Sequence, residues 1–433
     1  MFARLLPIAI AASLTFSMGC GDKPTHPNID KWMNTEKGPG KLKKALLDDS
    51  IDADLSAHAA ANMIKKGRDP EVREAFDQMI TGRRTEVIAK LAPRLWEIAR
   101  IEGELSLPAP PNVAAKDGLF QIRKYADDAT KAQIDKYLID WYCVTSYEGR
   151  AHSGSAQGAT VIRTLGPAAG KKLIEVVNAV IAAPGQTKTK NRIGDELLLG
   201  MAASGNPDAV KYILDIAKMD RGDPTLAPRA MSALFRGYVN SEGLFEPADP
   251  AALAPHLAQI VALVKDESLP GEVADDGVKL IRAVGAPACV APLVGMIPTP
   301  HSNLRFKYVA AQQALACGGT TAIAEVVRAL PDVPYRQDEL SGAIAQTVGG
   351  MSPRPAVLAA VRPLLDDRKP IVRWVAIETL AVMKSVEDAP KIAALSSSGD
   401  RLAGYWGPGS DKPDPTLGQR AKELSAQLGK GSK

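Results

Sequence analysis

Five histidines, His26, His58, His152, His256 and His301, are the first residues in this chain that could do chemistry, as metal ligands or general bases. A helical metal site needs two ligands on one face, and none of these histidines stands four residues from another or beside a glutamate. Cys143, Cys289 and Cys317 form no Cys-x-x-Cys, so zinc-ribbon and thioredoxin-like chemistry lack their local signature. Gly-x-Ser-x-Gly and Ser-x-x-Lys are also absent, which leaves nucleophilic catalysis without a carrier. The run from Gly166 to Lys172 is one residue short between its glycines for a phosphate loop and has Lys172 where such a loop needs Ser or Thr. Acidic pairs at Asp48-Asp49, Asp127-Asp128, Asp275-Asp276 and Asp366-Asp367 point about 100° apart on a helix, so they read as turns and helix ends rather than acid/base dyads. The expectation is no catalytic residue, no metal ligand and no cofactor.

Binding chemistry has more candidates. Arg192, Arg229, Arg305, Lys307 and Arg373 fall on the second helix of successive helix pairs, where they could line the inner surface of a stack; Arg305 and Arg373 are the candidate binding residues. The alternative is that these arginines brace neighbouring units through Asp contacts. Tyr137, Trp141, Tyr142 and Tyr147 concentrate rings that are scarce elsewhere, either as a ligand patch or as filling between irregular and regular helices. Trp406, in a stretch rich in Gly, Ser, Asp and Pro, reads as packing of a terminal cap.

The elements that must hold these residues are helices. Gly closes one helix and Pro or Thr opens the next at Gly67 to Pro70, Gly166-Pro167, Gly205 to Pro207, Gly285 to Pro287, Gly318 to Thr320 and Gly349 to Pro353. From Gly166 the intervals are 39, 80, 33 and 31 residues, the 80 dividing near Asn240. A period of that size predicts stacked helix pairs. Apolar residues recur at helical steps, as in Ile371, Val372, Val375, Ile377, Leu380 and Met383, with Arg373, Glu378 and Lys384 off the stripe. The ending Leu364-Leu365-Asp366-Asp367 recurs as Leu46-Leu47-Asp48-Asp49 and Leu263-Val264-Lys265-Asp266. Departures from the rhythm are 82–149, the insert Ser241 to Pro250, and 396–415; the Pro-rich run from Leu105 to Asn112 is expected as a loop. A final helix, Thr416 to Leu428, would cap the last apolar face.

Leu-Leu-Asp-Asp followed by Pro-x-Val-Arg and helically spaced Ala and Leu over 353–395 resembles the HEAT repeats of short bacterial HEAT-like proteins, with weaker copies over 41–80 and 153–350. The resemblance implies an all-α, right-handed alpha-solenoid of about eight or nine stacked antiparallel helix pairs. It also implies scaffold or peptide-binding roles more often than catalysis. Some HEAT-repeat enzymes carry repeated His-Glu pairs for a di-iron centre, and this chain has no His-Glu dipeptide. Bilin-attaching lyases share HEAT-like repeats, which keeps a lyase or isomerase as an alternative.

Arg4, followed by an apolar or small run from Leu5 to Met18, has the pattern of an export signal whose core is too short to span a membrane. Ser17-Met18-Gly19-Cys20 resembles the bacterial lipobox, with Ser17 where Leu is usual. The resemblance implies lipidation at Cys20, a membrane anchor, and, with Gly21 following, an outer-membrane address facing the periplasm or exterior. In that oxidising setting Cys289 and Cys317 are either paired or small core residues. Hydrophobic residues make up 45% of the chain and aromatics only 5%, a composition suited to close helix packing. With 53 basic against 49 acidic residues, the +4 charge calls for no nucleic acid partner.

The expected organisation is a signal peptide at 1–19, a flexible tether at 20–40, degenerate helical repeats at 41–149, regular repeats at 150–397, and a loop with capping helix at 398–433. The expected function is a non-enzymatic, membrane-anchored scaffold or adaptor that binds a protein or peptide along its concave face. A purely architectural envelope protein is a further alternative.

Overall fold

A computed structural model describes residues 23–101, 110–182, 193–219, 223–239, 242–298, 304–331, 337–406 and 410–430. The expected signal peptide, Cys20, Arg192 and most of the Pro-rich run lie outside them; Pro111 already opens the helix Pro111–Ile122. The chain divides into two compact units, 1–141 and 142–433. The boundary between them falls between Trp141 and Tyr142, at the end of the helix Asp128–Tyr142.

In the first unit, Ala53–Lys65 is the central helix, packed by His26–Trp32, Gly38–Leu47, Thr81–Ala99 and Pro111–Ile122. Its Ala57, Ala59, Ala60 and Ala61 are buried, and side chains this small let several helices approach one axis. The segment 20–40, expected as a flexible tether, is instead folded from residue 26, with Ile29 and Trp32 buried. These two apolar side chains, three apart on one helical face, give the segment a core contact that its Gly, Pro and Lys content concealed. Lys116 is fully buried, its Nζ 2.5 Å from Asp117 Oδ1 and 5.1 Å from the Trp141 ring centre. Burial pushes its amine below the ordinary lysine range, with Asp117 opposing.

The second unit is a two-layer stack. One layer runs Gly158–Leu165, Asp195–Ala203, Leu226–Arg236, Gly271–Ala283, Leu304–Gly318, Gln337–Gly349, Pro370–Val382 and Leu417–Lys430, each helix packed on the next. The other layer includes Pro167–Ala182, Pro207–Ile216, Ile323–Arg328 and Arg354–Val361. This is the expected all-helical array of stacked helix pairs. The expected stripe in Pro370–Val382 is buried from Ile371 to Met383, and Trp374 is 1% exposed as well, because neighbours cover the helix on both flanks.

The junctions follow backbone chemistry. Gly166 (φ 71°) and Gly205 (φ 66°) take the left-handed conformation that ends a helix, and Pro167 and Pro207 open the next. The recurring aspartates are turn caps: Asp48 accepts from Ser50 N–H at 2.9 Å, Asp266 from Ser268 N–H at 3.0 Å, and Asp367 from Lys369 N–H at 3.1 Å. Ser hydroxyls first, then these amides, hold Asp48 and Asp266 below the usual carboxylate range. Asp367 also meets Arg328 of the preceding unit at 2.9 Å.

One departure from the all-α expectation is a short antiparallel hairpin, Tyr238–Val239 with Phe245–Glu246, whose second strand lies in the insert. Gly237 admits it: a Cβ there would lie 2.5 Å from both Glu246 O and Ala248 N. The cysteines Cys289 and Cys317 are joined as a disulfide, while Cys143 is buried, its thiol 3.9 Å from Ala169 O.

Candidate functional site: a cleft beside the hairpin

Four helices of the consecutive layer end close together. Arg163, Phe235, Arg282 and Gln313 come from near the ends of Gly158–Leu165, Leu226–Arg236, Gly271–Ala283 and Leu304–Gly318. With Tyr238 and the hairpin's return strand they line a cleft of about 700 Å³. A cation in a last helical turn complements the helix dipole, which accounts for basic residues at these ends without any ligand. The dipole does not account for how they are held.

Arg163 Cζ lies over the face of the Tyr238 ring, 3.1 Å from its centre, a cation–π contact. Arg282 Nη1 donates to the Gln313 side-chain oxygen at 3.2 Å, a neutral partner that leaves the charge uncompensated. Lys279 Nζ is 4.6 Å from the Phe235 ring centre and is paired with Asp276 at 3.1 Å. Among the described residues no carboxylate forms an ion pair with Arg163 or Arg282. Glu246 and Asp249 also line the cleft; Asp249 Oδ1 is committed to the Ala251 amide at 2.9 Å.

The residues named from sequence meet different fates. Arg305 lies in the first turn of Leu304–Gly318, and its side chain falls outside the described residues. Arg373 Nη2 donates to Asp400 Oδ2 at 2.7 Å, tying Pro370–Val382 to the following loop. The structure therefore uses Arg373 as the brace that was its alternative reading, and does not present it as an open binding group. Arg229 braces in the same way, reaching Asp195 and, at 3.3 Å, Asp223. Lys307 is 4% exposed, and burial holds its amine below the ordinary lysine range. The aromatic concentration is packing: Trp141 Nε1 donates to Ala99 O at 3.1 Å, Tyr142 Oη to Ala156 O at 2.5 Å, and Tyr137 stacks on Trp96 with ring centres 4.9 Å apart. Tyr405 and Trp406 sit edge to face beside buried Trp374, against the Leu417–Lys430 cap.

Two histidines that stand alone in sequence meet in space. His26 Nδ1 and His58 Nδ1 are 2.8 Å apart, His58 Nε2 is 2.8 Å from Asp30 Oδ1, and His26 Nε2 is 3.3 Å from Asp54 Oδ2. Arg94 grips Asp54 through Nη2 at 2.6 Å, and Asn62 donates to Asp30 at 3.0 Å. Their separation of 32 residues hid the pair, and among the described residues no group of three or more His, Cys, Asp or Glu could hold a metal ion.

No family model matches the chain, and no curated protein matches it. Among solved structures it is similar to human deoxyhypusine hydroxylase in complex with glycerol, at 14% identity over 69% of this chain and 98% of that one, with a TM-score of 0.24. An engineered protein gives 16% identity over 90% and 98% of the two chains, TM-score 0.28. Kap121p bound to Nup53p gives 14% over 92% of this chain and 42% of that chain, TM-score 0.29. Likenesses at these scores carry no argument about function.

Proposed function

We propose that this chain is a non-enzymatic scaffold or adaptor of the bacterial envelope, anchored through Cys20, that takes a protein or peptide on the helix ends of its consecutive layer. The observation that carries this reading is the cleft itself: about 700 Å³, formed where the insert interrupts the repeat rhythm, and floored by aromatic and cationic side chains. Stacked helix pairs spend their apolar faces on each other, so recognition falls to such exposed ends and inserts. The Cys289–Cys317 disulfide supports an exported, oxidising address. A lyase or isomerase reading would be favoured by a cavity holding a perturbed carboxylate near Tyr147. Burial does raise the Glu148 carboxyl, but that carboxylate accepts from Leu197 N–H at 2.8 Å as a helix cap.

A photo-crosslinking side chain placed at Gln313, in the cleft, should capture a discrete polypeptide in intact envelopes. The same group at Lys211, exposed on the other layer, should capture none. Absence of an adduct at Gln313, or equal capture at both positions, overturns the assignment.

A further inference from the structure

Arg163 and Arg282 carry charge into the cleft with no carboxylate ion pair among the described residues, and Arg163 lies over the face of the Tyr238 ring. A guanidinium stacked on an aromatic face keeps its in-plane N–H edge free, and that edge matches the two oxygens of a carboxylate. Tyr238 thus supplies what a mobile surface arginine lacks, a fixed plane that reduces the ordering cost when a ligand arrives. Gln313 does the same for Arg282 by engaging Nη1 while leaving other donors of the fork. Phe235 and Ala283 add apolar surface in the same cleft, so a ligand segment there meets both charge and hydrophobic contact.

From this we infer that the cleft recognises a carboxylate-bearing peptide segment, with acidic side chains clamped edge-on by Arg163 and Arg282 around an apolar residue. The inference rests on the peptide-binding reading above and names its ligand chemistry. Glu246 and Asp249 line the same cleft, so a uniform polyanion is disfavoured and one or two carboxylates in a neutral context fit best. Arg236 provides an internal control: it sits at the end of its helix, 4.6 Å from the Phe245 ring centre, outside the cleft lining.

The test uses three dye-labelled peptides, Gly-Ser-Glu-Leu-Glu-Ser-Gly and its Gln-Leu-Gln and Lys-Leu-Lys counterparts, titrated with the full chain by fluorescence anisotropy. The Glu peptide should bind about 10-fold or more tighter than the Gln peptide, as expected for charge-assisted bidentate contacts. Arg163→Gln and Arg282→Gln should each remove most of that preference, Arg163→Lys should restore only part of it, and Arg236→Gln should leave it intact. Circular dichroism and thermal melting of each variant establish that the exposed substitutions leave the fold in place. Equal binding of the Glu and Gln peptides, or no binding of either, overturns the carboxylate assignment, while crosslinking at Gln313 still decides the peptide-binding reading separately. A preference that survives in both Arg163→Gln and Arg282→Gln moves recognition out of this cleft.

Discussion

His58 illustrates how much a single residue's chemistry depends on where the fold puts it. Its Nε2–H faces Asp30, so the neutral ring offers Nδ1 as an acceptor to His26. Burial is the largest influence and pulls this imidazole below its ordinary value, Asp30 opposes it, and Arg94 and His26 add to the lowering. On the far sides, Asn62 and Lys65 face Asp30, and Arg94 and Lys90 face Asp54. As pH falls through the ordinary imidazole value of about 6.5, the unfolded chain takes up a proton that folded His58 resists, so stability is present above that value and lost below it. The protection of amides in Ala53–Lys65, measured by hydrogen exchange in the full chain and referred to the intrinsic rate at each pH, should therefore fall between pH 7.5 and 5.5. His58→Gln should flatten the dependence; an unchanged slope would remove His58 as its source.

At the scale of elements, the disulfide and the insert do different work. Cys289 precedes the short helix Val290–Val294 and Cys317 lies near the end of Leu304–Gly318, a separation of 28 residues. Closing a loop of that size removes unfolded-chain entropy equivalent to about 3–4 kcal/mol in the chain-entropy account. The double substitution Cys289→Ala, Cys317→Ala should lower unfolding free energy by roughly that amount, measured by chemical denaturation. Added reductant should cost the parent protein much the same and the variant nothing. If reductant leaves the parent unchanged, the two thiols are not paired in solution. The insert Ser241 to Pro250 was visible in the sequence as a departure from the helical rhythm. What it builds was not, because Tyr238 reaches Arg163 across 75 positions and only the stacked layer brings them together.

For the whole molecule, each helix of the second unit's consecutive layer packs on its neighbours in chain order, so stability accrues by neighbour contacts along the array. Among the described residues no helix is long and apolar enough to cross a membrane. In the proposed function the attachment is through Cys20, on the lipobox resemblance of Ser17-Met18-Gly19-Cys20. A Cys20→Ser protein should leave the membrane fraction and lose acyl labelling in metabolic incorporation. Unchanged fractionation would remove the anchor from the proposal.

The stacked-helix architecture was legible in the sequence because helix period, Gly and Pro punctuation, and the Leu-Leu-Asp-Asp endings are local signals. Each acts within a few residues: Asp48, Asp266 and Asp367 all cap the amide two positions on. The sequence by itself thus determined the stacked-helix architecture and its Gly–Pro junctions. Tertiary structure alone decided which charges are spent and which remain. Arg373 and Arg163 are equivalent as letters, yet one finds Asp400 and the other finds the face of Tyr238. It also folded the segment expected as a tether and paired His26 with His58, since burial and charge compensation depend on partners tens of residues away.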